Sequence, residues 1–300
     1  MILNDACAET RFKKILLASD GSEFSEGAVR EAVAIAKRHE SILHVVSVVE
    51  ANREYMAYAP DALEKIERKT RWHLDMVRKR AKYEGLSCET RVHLSDDPGL
   101  CIVNDAAELE SDVIVIGRRG MSGLRRLVIG SVTAQVVGTA PCNVLVVPRQ
   151  GKSSFAAIIA AIDGSRHSAV AAAHAVNIAA CSGASLTIVT VVPSDSDILE
   201  NTSYAGEHRT LIADQQIQAA EQNVRQVKEM AQRRGIAVTG LIFSGSPYEA
   251  ILQSAAERSA DLIVLGSHGK TAFEKAIIGS VAERVVMLAP CSTLVARSPV

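Results

Sequence analysis

Several features that often reveal a protein's function are missing from this sequence. Its six cysteines form no Cys-x-x-Cys pair, which excludes the common zinc-ribbon and thioredoxin-type motifs. The 33 lysines and arginines nearly balance the 34 aspartates and glutamates, so the chain lacks the strong positive charge of a general nucleic-acid or anionic-membrane binder. We therefore expect a specific site, rather than overall charge, to select the ligand.

Long apolar runs and targeting signals are also missing. No apolar run approaches the ~20 residues of a membrane-spanning helix, and residues 1–14 lack the pattern of a secretory signal. We interpret the scattered cysteines as reduced, buried residues, so we expect a cytoplasmic protein. The sequence contains neither His-Glu-x-x-His nor Gly-x-Ser-x-Gly. It therefore identifies no catalytic residue and no metal-ligating side chain.

A duplication organises the chain. Residues 111–147 recur as residues 260–296 without a gap, and the segment that begins at Phe12 recurs from Phe155. Repeats of this kind indicate repeated structural units. We predict an N-terminal segment (1–11), a first domain (12–148), a polar linker (149–154) and a second domain (155–297).

Short apolar runs alternate with amphipathic stretches of helical length in each half. This alternation is typical of a parallel sheet with helices on both faces. We predict an α/β protein with two tandem, open, five-stranded parallel-sheet domains of the Rossmann-like class. The predicted first helix covers about residues 23–38, capped by Asp20 or Ser22, with Asp163-Gly164-Ser165 repeating the turn. In the first half the predicted strands cover residues 14–19, 42–49, 87–93, 113–116 and 144–147.

A glycine-rich loop follows the predicted fourth strand. Its pattern is Gly, two residues, Gly, nine residues and Gly-Ser, and the second half repeats it with identical spacing. Glycine allows the backbone to approach an anion closely, and the start of a helix offers N–H groups that bind phosphate. The pattern therefore predicts a phosphate-binding loop in each half. Its members are Gly117, Gly120, Gly130 and Ser131, and then Gly266, Gly269, Gly279 and Ser280.

An aspartate follows the predicted first strand of each half. In open parallel sheets, ligands bind beyond the carboxyl ends of the strands, where the strand order reverses. Asp20 and Asp163 are therefore placed to accept hydrogen bonds from a ribose or an adenine amino group. Capping of the next helix would also explain these residues, and the sequence alone leaves both interpretations open.

The chain resembles a tandem member of the universal stress protein family, of its ATP-binding type. The resemblance covers residues 12–148 and 155–297. It depends on the glycine pattern, on the two strand-end aspartates and on Ala-Pro-Cys at 140–142 and 289–291. It implies a fold like that of the adenine nucleotide alpha hydrolases. It also implies that Asp20 and Asp163 contact ribose, and that the backbones of Val48 and Val191 contact adenine.

The resemblance further implies the ligands and partners. The phosphates of ATP, with Mg²⁺, would lie against the two glycine loops, near Arg119 in the first half and His268 in the second. The family pairs its domains through their last strands, which implies a pseudo-dimer through residues 143–148 and 292–297 and allows a homodimer. An unknown regulatory protein is also an expected partner, whereas no nucleic acid or membrane is expected.

Other residues are less closely tied to the site. The first half has Asp96-Asp97-Pro98 where the second has Gly245-Ser246-Pro247, and the two acids could alter the turn or repel phosphate. We interpret Arg125 and Arg126 as surface residues. We interpret Trp72 and His73 as part of a packed helix face.

Three functions are compatible with these observations. In the favoured one, ATP occupancy controls conformation, dimerisation or partner binding in a stress response. The second is a slow ATPase in which His268 assists hydrolysis. The third is a protein-interaction module that needs no nucleotide.

Overall fold

The computed structural model describes residues 12–51, 60–120, 129–151, 155–193, 206–270 and 278–297. The described residues of each half form one compact unit, the first up to residue 151 and the second from residue 155. The predicted segment 1–11, the end of the predicted linker (152–154), and Arg125 and Arg126 lie outside the described residues.

The first unit alternates strands and helices from β1 to β5. Its elements are β1 (Lys14–Ala18), α1 (Glu26–His39), β2 (Ile42–Glu50), α2 (Pro60–Tyr83), β3 (Cys88–Ser95), α3 (Pro98–Glu108), β4 (Val113–Gly117), α4 (Ser131–Thr139) and β5 (Asn143–Val147).

The second unit repeats this order. Its elements are β6 (Ala157–Ala161), α5 (Arg166–Ser182), β7 (Ser185–Val192), α6 (Gly206–Arg233), β8 (Val238–Ser244), α7 (Pro247–Glu257), β9 (Leu262–Gly266), α8 (Ser280–Leu288) and β10 (Ser292–Ala296).

Within each unit the five strands form a parallel sheet with the same order. The order is β3-β2-β1-β4-β5 in the first unit and β8-β7-β6-β9-β10 in the second. In the first unit β2 and β3 lie on one side of β1, whereas β4 and β5 lie on the other side, so the strand order reverses between β1 and β4. In the second unit it reverses between β6 and β9. The predicted fold class is confirmed, and the reversal marks the edge where ligands bind in such sheets.

The central strands are buried on both faces. Ile15, Leu16 and Leu17 on β1 are completely inaccessible to solvent, and every residue of β4 is buried. Helices cover both faces of a sheet of this type, so consecutive apolar residues, rather than alternating ones, satisfy the packing. The continuous apolar runs in the sequence have this cause.

The start of the first helix differs from the prediction. Helix α1 begins at Glu26, after Ser25, and no side chain caps it. Ser22 instead donates from both N and Oγ to Asp20 Oδ1, and Ser25 N–H donates to the Ser22 carbonyl. The predicted cap is therefore wrong in the first unit, because this turn satisfies its own polar groups. In the second unit Ser165 does cap α5, accepting from Ser168 N–H.

The cysteines are less uniform than the sequence suggested. Cys291 is a buried free thiol, whereas Cys88, Cys101 and Cys142 are free and only partly buried. Cys181 is disulfide-bonded, so the interpretation of the cysteines as reduced and buried is wrong for this residue. None of the described helices is both long and apolar enough to cross a membrane.

Candidate functional site

In the first unit, the loops after β1 and β4 meet at the carboxyl edge of the sheet. The turn after β1 contains Asp20 and Gly21, and Gly21 adopts a φ of 72°, a conformation that favours glycine. Asp20 Oδ1 accepts from Ser22 N–H at 3.0 Å and from Ser22 Oγ–H at 2.7 Å. The side chain is thereby held at the edge of the sheet, next to the glycine loop.

The second glycine of each loop lies directly against the strand-end aspartate. A Cβ atom on Gly120 would lie 2.7 Å from Asp20 Oδ2, and one on Gly269 would lie 2.9 Å from Asp163 Oδ2. Real Cβ atoms essentially never lie this close to another heavy atom, so a side chain at either position would force the carboxylate to move. The spacing in the sequence thus has a tertiary explanation, because glycine lets the loop approach the aspartate without displacing it.

A backbone hydrogen bond strengthens this contact in the second unit. Lys270 N–H donates to Asp163 Oδ2 at 2.9 Å, and Ser165 N–H donates to Oδ1 at 2.9 Å. Burial raises the pKa of Asp163, but hydrogen bonds from Ser165, Ser168 and the Lys270 backbone outweigh it and leave the pKa below its ordinary value. The carboxylate is therefore ionised at neutral pH.

The first glycine of each loop lets the fourth strand approach the start of the first helix. A Cβ atom on Gly117 would lie 3.1 Å from the Phe24 carbonyl oxygen, and one on Gly266 would lie 2.8 Å from the His167 carbonyl carbon. These neighbours are backbone atoms, which cannot rotate away. The first glycine therefore brings the glycine loop and the aspartate turn together.

The third glycine begins a helix. Gly130 and Gly279 are the N-caps of α4 and α8, and glycine has no side chain that could accept a hydrogen bond from the helix start. The hydroxyl-bearing Ser131 and Ser280 come next, and both residues are exposed. Each helix therefore presents backbone N–H groups and a hydroxyl at the edge of its glycine loop.

Val48 and Val191 lie near the carboxyl ends of β2 and β7. Ser19 N–H donates to the Val46 carbonyl at 3.0 Å, beyond the last residue of β1. Backbone groups alternate along a strand, so the carbonyl of Val48, two residues later, faces the same side as that of Val46. Val48 is half-buried. The second unit repeats this arrangement with Ile162, Val189 and Val191.

The residues expected near phosphate differ between the units. Arg119 and His268 both follow the first glycine by two positions, and both are partly buried. His268 Nδ1 lies 3.1 Å from Ser267 Oγ, and its ring packs against that of His167 with the ring centres 5.4 Å apart. The first unit thus places a guanidinium group beside its glycine loop, and the second places an imidazole there.

Sequence reasoning missed the role of His73 in the first site. Its Nε2 lies 2.8 Å from Ser19 Oγ, and a Cβ atom on Gly21 would touch its ring at 3.1 Å. His73 is packed as predicted, but against the aspartate turn. Trp72 is 65% exposed, so the predicted packed face is wrong for that residue. No motif marks His73; its helical position beside buried Leu74 was the available signal.

The hydrogen bonds around His73 have a defined order of donors and acceptors. Ser25 Oγ–H donates to the Ser22 carbonyl, so its oxygen accepts from Ser19 Oγ–H. Ser19 has then used its proton, and His73 must donate through Nε2–H. This chain supports the turn that holds Asp20. In the second unit Asn223 occupies the corresponding place, with its Nδ2 against Gly164.

Of the two acids before α3, one has a clear structural role. Asp97 is the N-cap of α3, and its Oδ1 accepts from Leu100 N–H and from Gln135 Nε2–H, both at 2.9 Å. Asp96 is exposed. Gly245, at the equivalent place in the second unit, adopts a φ of 108°. The turn is thus built differently, and one of the two carboxylates serves the local structure.

Comparison with known proteins agrees with this arrangement. The sequence matches the Universal stress protein family over residues 11–148 and 154–297. A universal stress protein of Methanocaldococcus jannaschii is 34% identical over 152 residues, which are 50% of this chain and 87% of that protein. A putative universal stress protein of Staphylococcus aureus (strain USA300) is 32% identical over 139 residues, 45% of this chain and 84% of that one.

A solved structure shares the complete fold. The crystal structure of a universal stress protein from Archaeoglobus fulgidus superimposes with a TM-score of 0.73 at 22% identity, covering 96% of this chain and 99% of that chain. This similarity concerns the fold alone. Since the family match covers both halves, the chain belongs to the universal stress protein family and contains two of its domains in tandem.

Proposed function

We propose that the chain is a cytoplasmic stress-response regulator that binds ATP, with Mg²⁺, in each unit. One observation carries the proposal. In both units, the strand-end aspartate, the glycine loop and a helix start without a capping side chain lie at the same edge of the sheet, where the strand order reverses. Sheets of this class bind nucleotides at that edge.

The chemistry of each part matches a part of the nucleotide. Asp20 and Asp163 would accept hydrogen bonds from ribose hydroxyls. The helix starts at Gly130 and Gly279 offer N–H groups and a favourable dipole to phosphate. Ser131 and Ser280 add hydroxyl donors.

The adenine would lie against the ends of the second strands. The carbonyls of Val48 and Val191 face the side on which β1 and β6 have already ended. A backbone carbonyl there can accept a hydrogen bond from the adenine amino group. This contact would favour adenine over guanine, because guanine carries a carbonyl at that position.

The proposed role is regulatory rather than catalytic. ATP that binds one conformation, dimer or partner complex more tightly than the alternatives shifts the population toward that state. The family membership supports a stress-response role, and the self-association and regulatory partner belong to the proposal. A slow ATPase is the second candidate, favoured by the position of His268 beside the glycine loop, where it could assist a water molecule.

The test is a measurement of bound nucleotide. The protein is purified without added nucleotide and denatured, and any released nucleotide is identified by chromatography and quantified per chain. We expect one ATP for each unit. Gly120→Val should remove the first and Gly269→Val the second, because each side chain would collide with the aspartate.

Each variant serves as the control for the other, and circular dichroism verifies that both remain folded. If no nucleotide is released, and calorimetric titration with Mg-ATP detects no binding, the proposal is wrong. If phosphate release accompanies binding and disappears in His268→Ala, the ATPase candidate replaces the purely regulatory one.

A further inference from the structure

A pair of histidines lies beside the glycine loop of the second unit. His167 is the second residue of α5, and His268 follows β9. Their ring centres are 5.4 Å apart, and the ring planes are inclined by 52°. A Cβ atom on Gly266 would touch the His167 backbone at 2.8 Å, so this glycine brings the two histidines together.

The separation of the rings suits one shared metal ion. With Zn–N bonds of about 2.0–2.1 Å and tetrahedral angles, two coordinating imidazoles have their centres about 5.2 Å apart. His268 Nδ1 lies 3.1 Å from the buried Ser267 hydroxyl. Hydrogen bonds of this kind orient metal-bound histidines, and the Ser267 hydroxyl would hold the His268 ring in this way.

The electrostatic surroundings determine when an ion would bind. Arg166 and Arg297 lie close enough to His167 to act on the charge of its ring, and Asp163 opposes them. The same two arginines repel a cation, so negative ligands are needed beside Asp163. The phosphates of a nucleotide would provide them.

The first unit lacks this pair. Phe24 and Arg119 occupy the positions that match His167 and His268, and neither side chain ligates metal ions. Among the described residues, no group of three or more histidine, cysteine, aspartate or glutamate side chains could hold a metal ion. Two histidines alone would leave half of a tetrahedral site open.

We propose that His167 and His268 bind one divalent transition-metal ion of the zinc type, and that phosphate oxygens of the nucleotide occupy its remaining positions. This inference rests on the proposed function, because the two histidines would determine which metal ion accompanies ATP in the second site. Imidazole favours zinc, cobalt, nickel and copper over magnesium. The first site, with Arg119, has no such preference.

Cobalt(II) tests the proposal, because tetrahedral and octahedral cobalt have distinct visible spectra. The complete chain is titrated with Co²⁺ in the presence of a non-hydrolysable ATP analogue. We expect one tetrahedral Co²⁺ per chain, displaced by Zn²⁺ and bound more weakly without the analogue. His167→Phe and His268→Arg should each weaken binding by at least about tenfold. His93→Gln, in the first unit, is the matched control.

The two substitutions introduce the residues that the first unit carries at these positions, so we expect both variants to fold. Unchanged cobalt binding in a chain that carries both substitutions, or a spectrum without a tetrahedral component, overturns the metal site. Nucleotide binding measured with Mg²⁺ alone separates this failure from failure of the proposed function. ATP bound in both units without tetrahedral cobalt rejects only the metal site, whereas no bound ATP rejects both proposals.

Discussion

Single residues distinguish the two sites although their backbones repeat. The aspartate turn packs against His73 in the first unit and against Asn223 in the second. His73 contacts Ser19, which is hydrogen-bonded to a further hydroxyl group, whereas the second unit has Ile162 in place of Ser19. The same aspartate is thus supported by a polar network in one unit and by an amide in the other.

Removing His73 should loosen the first site. His73→Ala deletes a half-buried hydrogen bond to Ser19, and we expect it to lower the free energy of unfolding by about 1–2 kcal/mol. It should also weaken nucleotide binding in the first unit. Urea denaturation and titration with Mg-ATP measure both effects. His73→Asn should lose less, and Asn223→Ala should affect the second unit alone. A variant equal to the native protein in both measurements would contradict the assigned role.

The starts of corresponding helices differ between the two units. Asp97 caps α3 through its side chain, whereas Ser246, the N-cap of α7, makes no side-chain bond to that helix. Asp97, one of the two acids that could repel phosphate, therefore has a local structural role. It also binds Gln135 on α4 and so links two helices beside the glycine loop.

Loss of this cap should destabilise the first unit. We expect Asp97→Ala to lower the free energy of unfolding by about 1 kcal/mol, because the Leu100 N–H loses its acceptor. The midpoint of urea denaturation, followed by circular dichroism, measures the change. Asp96→Ala removes the same charge without a cap and should have little effect. Equal changes in the two variants would assign the effect to charge alone.

The stability of the whole molecule should depend on histidine protonation. Burial is the largest cause that lowers the pKa of four histidines, in both units. In the unfolded chain a histidine has a pKa of about 6.5, so the unfolded state binds protons first as the pH falls. These residues are His44, His73, His167 and His174.

We therefore expect the free energy of unfolding to fall as the pH decreases below about 6.5, and to be insensitive to these histidines above pH 7.5. The loss ends once the pH passes below their folded-state pKa values. Urea denaturation at a series of pH values measures the slope, and His174→Gln should reduce it. Stability that stays constant or increases between pH 7 and 5.5 would contradict the expectation.

The sequence by itself determined the duplication, the five strands of each unit and the spacing of the glycines. Strands and loops of this kind depend on residues that are adjacent in the sequence, so apolar runs and glycine positions predict them. Only the tertiary structure decided that His73 contacts Ser19, 54 positions away, that Gly120 touches Asp20, and that His167 meets His268. These contacts depend on which strands are neighbours in the sheet and on how each helix lies against it, and a local pattern carries no information about either.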